Sequence, residues 1–242
     1  AHAAVLDAEA AAGSFRGPLH GVPMTIKEAF DWADTPSTWG NVAWRDNVPG
    51  TDAVTVQRLL DAGAVIYGKT NVPFMLGDWQ SFNDIYGTTN NPWDISRVPG
   101  GSSGGSAVAL ATGMAPICTG SDTGGSLRTP ASFCGVVSHR GTPGLVPSDK
   151  RGIGLTTYNV QGPMARNVAD TSLMLAAMAG NDPCDPLSGP VDANSFVEVE
   201  EVDLSQLRVA WSTDLGCVPV DNDIARIFEE RVGKIASSFK SC

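Results

Sequence analysis

Histidine is scarce in this chain of 242 residues: only His2, His20 and His139 occur. A Ser-His-Asp arrangement requires a histidine as base. His2 sits at the amino end, His20 in a glycine-flanked loop and His139 behind an apolar stretch, and none has an evident serine partner. Basic residues are outnumbered, with 16 Lys and Arg against 26 Asp and Glu and a formal charge of −10. The basic residues are also scattered, which argues against direct nucleic-acid binding. The five cysteines, Cys118, Cys134, Cys184, Cys217 and Cys242, form no Cys-x-x-Cys pair and are odd in number. That argues against a disulfide framework or a zinc site and favours a reducing cytoplasm. No stretch approaches eighteen apolar residues, so no membrane partner is expected. The first residues lack the basic start and long apolar centre of a signal peptide, and the absence of an initiating Met suggests that the true start lies elsewhere.

What the chain has in quantity is glycine beside serine. Residues 99–106 read Pro-Gly-Gly-Ser-Ser-Gly-Gly-Ser, and residues 120–128 read Gly-Ser-Asp-Thr-Gly-Gly-Ser-Leu-Arg. Ser102 and Ser126 lie 126 − 102 = 24 residues apart. Glycine lets the backbone take positive φ and lets another group approach closely. Successive N–H groups in such turns can converge into an anion nest. A serine beside a nest offers what acyl transfer requires, a nucleophile and donors for the oxyanion it creates. A flexible linker would not run directly into Ala107–Ala111, an apolar helix-forming segment closed by Gly113, nor recur as a second Gly-Gly-Ser.

Along the chain, residues 1–12 read as a helix stopped by Gly13, Val22–Lys27 as a strand with Val22, Met24 and Ile26 on one face, and residues 31–50 as an irregular loop. Asp52 is expected to cap a helix reaching about Ala62, ended by Gly63, and Ala64–Tyr67 to form a buried strand. Residues 71–98 read as a long irregular stretch with some aromatics near a site. Gly135–His139 reads as a strand, Asn167 caps a helix to Ala179, residues 181–206 form an exposed connection, Leu207–Trp211 is a strand, and Asp221 caps a last helix. The helix–strand alternation implies an α/β fold with a substantial parallel component. No boundary divides the chain clearly, so residues 1–242 read as one domain.

The two glycine-serine blocks, with Pro130-Ala131-Ser132-Phe133-Cys134-Gly135 after them, resemble the amidase signature family of serine hydrolases. Gly21-Val22-Pro23 leading to Lys27, Gly68-Lys69-Thr70-Asn71 and Gly162-Pro163-Met164-Ala165-Arg166 follow in the family's order. The resemblance implies a mixed, largely parallel β-sheet flanked by helices, of which this chain carries the N-terminal and central part. It assigns Ser126 as nucleophile, Ser102 as a bridging serine in a cis peptide, and Lys27 as base. On the same resemblance the backbone N–H groups of Thr123, Gly124, Gly125 and Ser126 are expected to surround the oxyanion. Ser103, Asp122 and Arg128 support the site: Ser103 bonded to Lys27, and the other two holding the turn, as a buried pair. No cofactor and no metal is implied. Glu28 stands where many relatives have Asp.

A lysine serves as base only when neutral, and burial supplies that by lowering its pKa from about 10.4. Cys134, in an apolar setting, reads as buried and inert. The expected reaction is hydrolysis of a small-molecule carboxamide. Two other readings stand beside it: the glutaminase component of a glutamyl-tRNA amidotransferase, against which Thr129 counts because Gln is common there, and a non-catalytic binding relative. The sequence does not set the oligomeric state, and a homodimer is allowed.

Overall fold

Gly13, at φ 77°, ends the alanine-rich first helix α1 (His2–Ala11). This is the left-handed C-terminal geometry that glycine adopts without steric cost. The structure is a computed structural model and describes residues 2–151, 155–199 and 201–242. Strand β1 (Pro23–Lys27) follows, then α2 (Val54–Asp61) and β2 (Val65–Thr70). A long excursion carries the short hairpin β3 (Phe82–Asn83) and β4 (Gly87–Thr88). Next come α3 (Gly104–Ala111), β5 (Ile117–Asp122), α4 (Arg128–Cys134), β6 (Val137–Ser138), β7 (Val160–Ala165), α5 (Val168–Met178) and α6 (Asn222–Ile235).

The main sheet has the order β2-β1-β5-β7-β6. Strand β1 pairs in parallel with both β2 and β5, while β7 is antiparallel to β5 and β6. Four of the five strands therefore run one way, which is the mixed, largely parallel sheet expected. Helices α2 and α5 contribute Val56, Leu59, Met174 and Met178 to one buried cluster with Met24 and Ile26 of β1. Ala107 and Leu110 of α3 and Ala131 of α4 form a second with Cys118 and Met164 of the sheet. Strand β1 is buried from Met24 through Lys27. Burial of both faces is the usual state of a strand with parallel neighbours.

Glycine sets the close approaches of α3 to the end of β2 and of β5 to the start of α4. A Cβ on Gly105 would stand 2.4 Å from Asn71 N and 2.6 Å from Asn71 O, and one on Gly120 of β5 would stand 2.5 Å from Leu127 Cδ2. The carboxyl end of α3 is capped by Arg166, whose guanidinium donates to the Leu110 and Ala115 carbonyls at 3.2 and 2.8 Å. Arg58 donates in the same way to the Met178 and Ala179 carbonyls that end α5. Cations at these ends satisfy orphan carbonyls and oppose the helix dipole.

Several expectations are corrected. Asp52 does not cap α2; its Oδ1 accepts from Ala33 N at 2.7 Å, and Ala53 takes the cap position without a side-chain bond. Leu207–Trp211 forms no strand beyond an isolated bridge, Arg208 to Ser241. The connection 181–206 is not wholly exposed, because Asp185 is buried against Arg151, Nε to Oδ1 2.7 Å. Asn167 and Asp221 do cap α5 and α6, accepting from Asp170 N and Asp223 N. The chain divides into two compact units, residues 1–199 and 200–242. In the second, Trp211 and Phe228 meet edge to face at 5.8 Å, and α6 buries none of its residues. Among the described residues no helix is long and apolar enough to cross a membrane.

The close approach at α3 yields a prediction. Gly105→Ala should destabilise the protein by about 1–3 kcal/mol, because the methyl meets backbone that cannot turn aside. Gly68→Ala, where a Cβ meets nothing within 4 Å, should change stability by less than about 0.5 kcal/mol. Urea midpoints compare the two, and equal effects would refute the packing account.

Candidate active site

Lys27 ends a strand whose two neighbours are parallel to it, the location where α/β sheets gather their functional groups. Its side chain is fully buried. Nζ lies 2.8 Å from Ser102 Oγ, 3.0 Å from Ser103 Oγ and 2.9 Å from Ser121 Oγ. Its backbone N–H donates to Thr119 Oγ1 at 2.8 Å, which ties β1 to β5 at the site itself. Burial pushes the Lys27 amine down to about 7, against the pull of the Asp122 charge, which raises it. No carboxylate contacts Nζ among the described residues, so hydroxyls alone solvate it.

The hydroxyl network indicates how a neutral amine is oriented. Ser103 Oγ donates to the Ser121 carbonyl and accepts from Ser121 N–H, each at 3.3 Å. Its proton is thus engaged, and it can only accept from Nζ. A neutral amine has two N–H donors and one lone pair. Donation to Ser103 and Ser121 leaves the lone pair for the Ser102 hydroxyl. The Gly101–Ser102 peptide is cis, as the family resemblance implies.

Ser126 is buried in the turn between β5 and α4. With Ser102, Ser121, Thr123 and Gly124 it lines a cavity of about 690 Å³. Among the described residues its Oγ makes no hydrogen bond to Ser102 or Lys27. Asp122 organises the turn. Its carboxylate accepts from Gly125 N at 2.9 Å and Leu127 N at 3.1 Å. Arg128 Nε reaches Oδ2 and Arg140 Nη1 reaches Oδ1, both at 3.0 Å. Burial raises the Asp122 pKa, but the Arg128 hydrogen bond and the Gly125 and Leu127 N–H groups outweigh it and hold the acid at about 2.

Two expectations change here. The Gly125 N–H points to Asp122 and Gly125 does not line the cavity, whereas no protein acceptor is found for the N–H groups of Thr123, Gly124 and Ser126 among the described residues. The Asp122–Arg128 pair is buried only on the acid's side, since the Arg128 side chain is 59% exposed against 0% for Asp122. Ser103 contacts Lys27 as expected. Ser121, Arg140 and Asn159 escape the sequence reading. Ser121 has a signal, its place at the exit of a strand beside Asp122. Arg140 and Asn159 reach the site from distant loops and leave none.

None of the three histidines lines the cavity, and His20 is structural: Nδ1 accepts from Arg16 N at 3.1 Å while Nε2 donates to the Leu6 carbonyl at 3.0 Å. Burial pushes the Cys134 thiol up to about 11, which leaves it unreactive. Trp79 lines the cavity, as expected of the 71–98 stretch, together with Trp39, Met75 and Leu76. The last three are held at φ 51°, 50° and 59°. Trp93 instead donates Nε1–H to the Cys134 carbonyl at 2.8 Å and serves packing.

The amidase family model matches residues 1–238. The chain is 42% identical over 225 residues to an acylamidase of Rhodococcus erythropolis, covering 93% of this chain and 47% of that protein. It is 44% identical over 243 residues to a glutamyl-tRNA(Gln) amidotransferase subunit of a Picosynechococcus species, covering 97% and 49%. The crystal structure of a bacterial aryl acylamidase superposes with a TM-score of 0.87 at 26% identity, covering 98% of this chain and 50% of that one. The chain spans about half the length of the curated relatives it matches. With a family model over nearly its whole length, the chain belongs to the amidase signature family.

Proposed function

We propose that the protein containing this chain hydrolyses carboxamides through an acyl-enzyme on Ser126, with Ser102 as the bridging serine and Lys27 as the base. The observation that carries this reading is the Lys27–Ser102 contact: a buried amine with a pKa of about 7 beside a hydroxyl that opens on the same cavity as Ser126. Residues 1–242 are then the N-terminal and central part of one amidase signature domain, and the cytoplasm is its proposed compartment.

In the forward step Lys27 Nζ takes the Ser102 proton while Ser102 Oγ takes the proton of Ser126. Ser126 Oγ bonds to the amide carbon, and the carbonyl oxygen becomes an oxyanion. The N–H groups of Thr123, Gly124 and Ser126 receive it, while Gly125 holds Asp122. One such donor is typically worth about 10²–10³ in rate. The C–N bond then breaks as the proton returns through Ser102 to the leaving amine. Water repeats the path in reverse, frees the acid and restores Ser126. Every proton moves among groups of this chain and substrate, so the route asks for no cofactor.

A second reading, release of ammonia from glutamine for use by a partner protein, is favoured by the 44% identity to the amidotransferase component. Ammonia release from simple amides without a partner separates the two.

In the full-length protein, Ser126→Ala should lower kcat/KM by at least about 10⁴-fold and abolish labelling by a fluorophosphonate. The wild-type kcat/KM should rise through an apparent pKa of about 7, and Lys27→Met should remove that inflection; a wild-type profile flat across neutrality would refute the assignment of the base. Stability should carry the same signature. The unfolded chain keeps the Lys27 proton to about 10.5, the folded one only to about 7. Between these values the unfolded state binds the extra proton, so the fold gains stability as pH rises. Measured against Lys27→Met in urea, the wild type should gain about 1.4 kcal/mol per pH unit from about 7 towards about 10. A difference independent of pH would show an amine of ordinary basicity.

A further inference from the structure

The cavity that holds Ser102 and Ser126 has an unbalanced wall. Trp39, Met75, Leu76 and Trp79 give it apolar and aromatic surface, and among the described residues that line it only Asp78 bears a charge. Among the described residues Asp78 joins no salt bridge. Its Oδ1 accepts from Gln80 N at 2.9 Å, which fixes the side chain in a local turn and leaves Oδ2 without a protein partner among the described residues.

The segment is pinned next to the reacting groups. A Cβ on Gly101 would fall 2.5 Å from the Asp78 carbonyl oxygen and 3.0 Å from Trp79 C, and Gly101 is joined directly to Ser102. Trp79 Nε1 lies 3.9 Å from where a Gly125 Cβ would stand, one residue before Ser126. Met75, Leu76 and Trp39 in the same wall hold left-handed backbone, which persists only where the surroundings enforce it. The wall is thus formed before substrate arrives.

A fixed carboxylate attracts a cation and repels an anion. Indole faces add a cation–π attraction. We infer that the cavity selects carboxamides whose acyl part carries a positive charge, such as an ammonium at the end of a short chain, and discriminates against acyl parts ending in a carboxylate. Asp78 is the specificity residue, with Trp39 and Trp79 as the aromatic walls. This rests on Ser126 being the nucleophile of an amide hydrolase.

The test uses three primary amides of matched length in the full-length protein: 6-aminohexanamide, heptanamide and the monoamide of adipic acid. The expected order of kcat/KM is cation above neutral above anion, with about fivefold to tenfold between steps at low salt. Asp78→Asn retains an oxygen for Gln80 N and should bring the three values within about twofold. Asp7→Asn, on the exposed side of α1, removes the same charge elsewhere and should leave the order intact. A flat or inverted order, or an order that survives Asp78→Asn, would overturn the inference while leaving the hydrolase standing. Fluorophosphonate labelling of Ser126 without turnover of 6-aminohexanamide would do the same. Absence of both labelling and turnover would overturn the hydrolase reading, and the inference with it.

Discussion

The site depends on one buried amino group. Lys27 is surrounded by protein, and among the described residues its amine has no carboxylate in contact, only three serine hydroxyls. An ammonium in that setting lacks the close counter-charge that would offset its lost hydration, so the neutral amine is favoured. Three hydroxyls converge on that amine. Ser121 comes from the end of β5, Ser103 from the start of α3, and Ser102 from the turn before it. Their convergence follows from two packing facts: β1 and β5 are neighbours in register, and α3 can approach the end of β2 because Gly105 has no side chain to hold it away from Asn71 and Thr70.

The residue next to Lys27 has different partners. Glu28 is also buried, but its carboxylate accepts from Thr38 Oγ1 at 2.7 Å, Trp39 N at 2.9 Å and the Tyr86 hydroxyl at 3.3 Å. It is therefore fully engaged in holding the loop that presents Trp39 at φ 51° to the cavity. Adjacent positions on one strand end thus supply the proposed base and brace the wall beside it.

Much of this is legible in the sequence because the residues that carry it are local. Lys27, Ser102, Ser103 and Ser126 lie in contiguous motifs, and the glycines at positive φ after α1, α2 and α3 mark those ends directly. What the sequence conceals depends on partners far along the chain. Strand β5 reads Ile-Cys-Thr-Gly-Ser-Asp and β7 Val-Gln-Gly-Pro-Met-Ala, and neither has the alternation or β-branched run that announces a strand. They are strands because each completes the other's ladder, from Ile117 opposite Ala165 to Asp122 opposite Val160. Helix α4 carries Pro130 in its first turn, where a missing N–H costs nothing, yet proline and glycine nearby disguise it as loop. Asp52 stands where a cap is expected, but Ala33 N, nineteen residues earlier, claims its carboxylate. Asp185 lies in an acidic stretch that reads as exposed, and only the fold brings Arg151 to it.

The turn carrying Ser126 divides its donors between two duties. Gly125 and Leu127 N–H groups face inward to Asp122, and those of Thr123, Gly124 and Ser126 are left without a protein acceptor among the described residues. The inward set keeps the outward set aimed, and does so only while Asp122 is ionised, because a protonated acid accepts fewer and weaker bonds. Arg128 and Arg140 secure that charge, and Arg140 also donates to the Tyr158 carbonyl, next to Asn159 in the cavity wall. With Asp122 held at about 2 and Lys27 at about 7, the brace keeps its charge throughout the range in which the amine loses its own. On the proposed mechanism the donors therefore stay in position as the amine becomes neutral, and its two requirements, a neutral amine and an ionised brace, are met together from neutral pH upward.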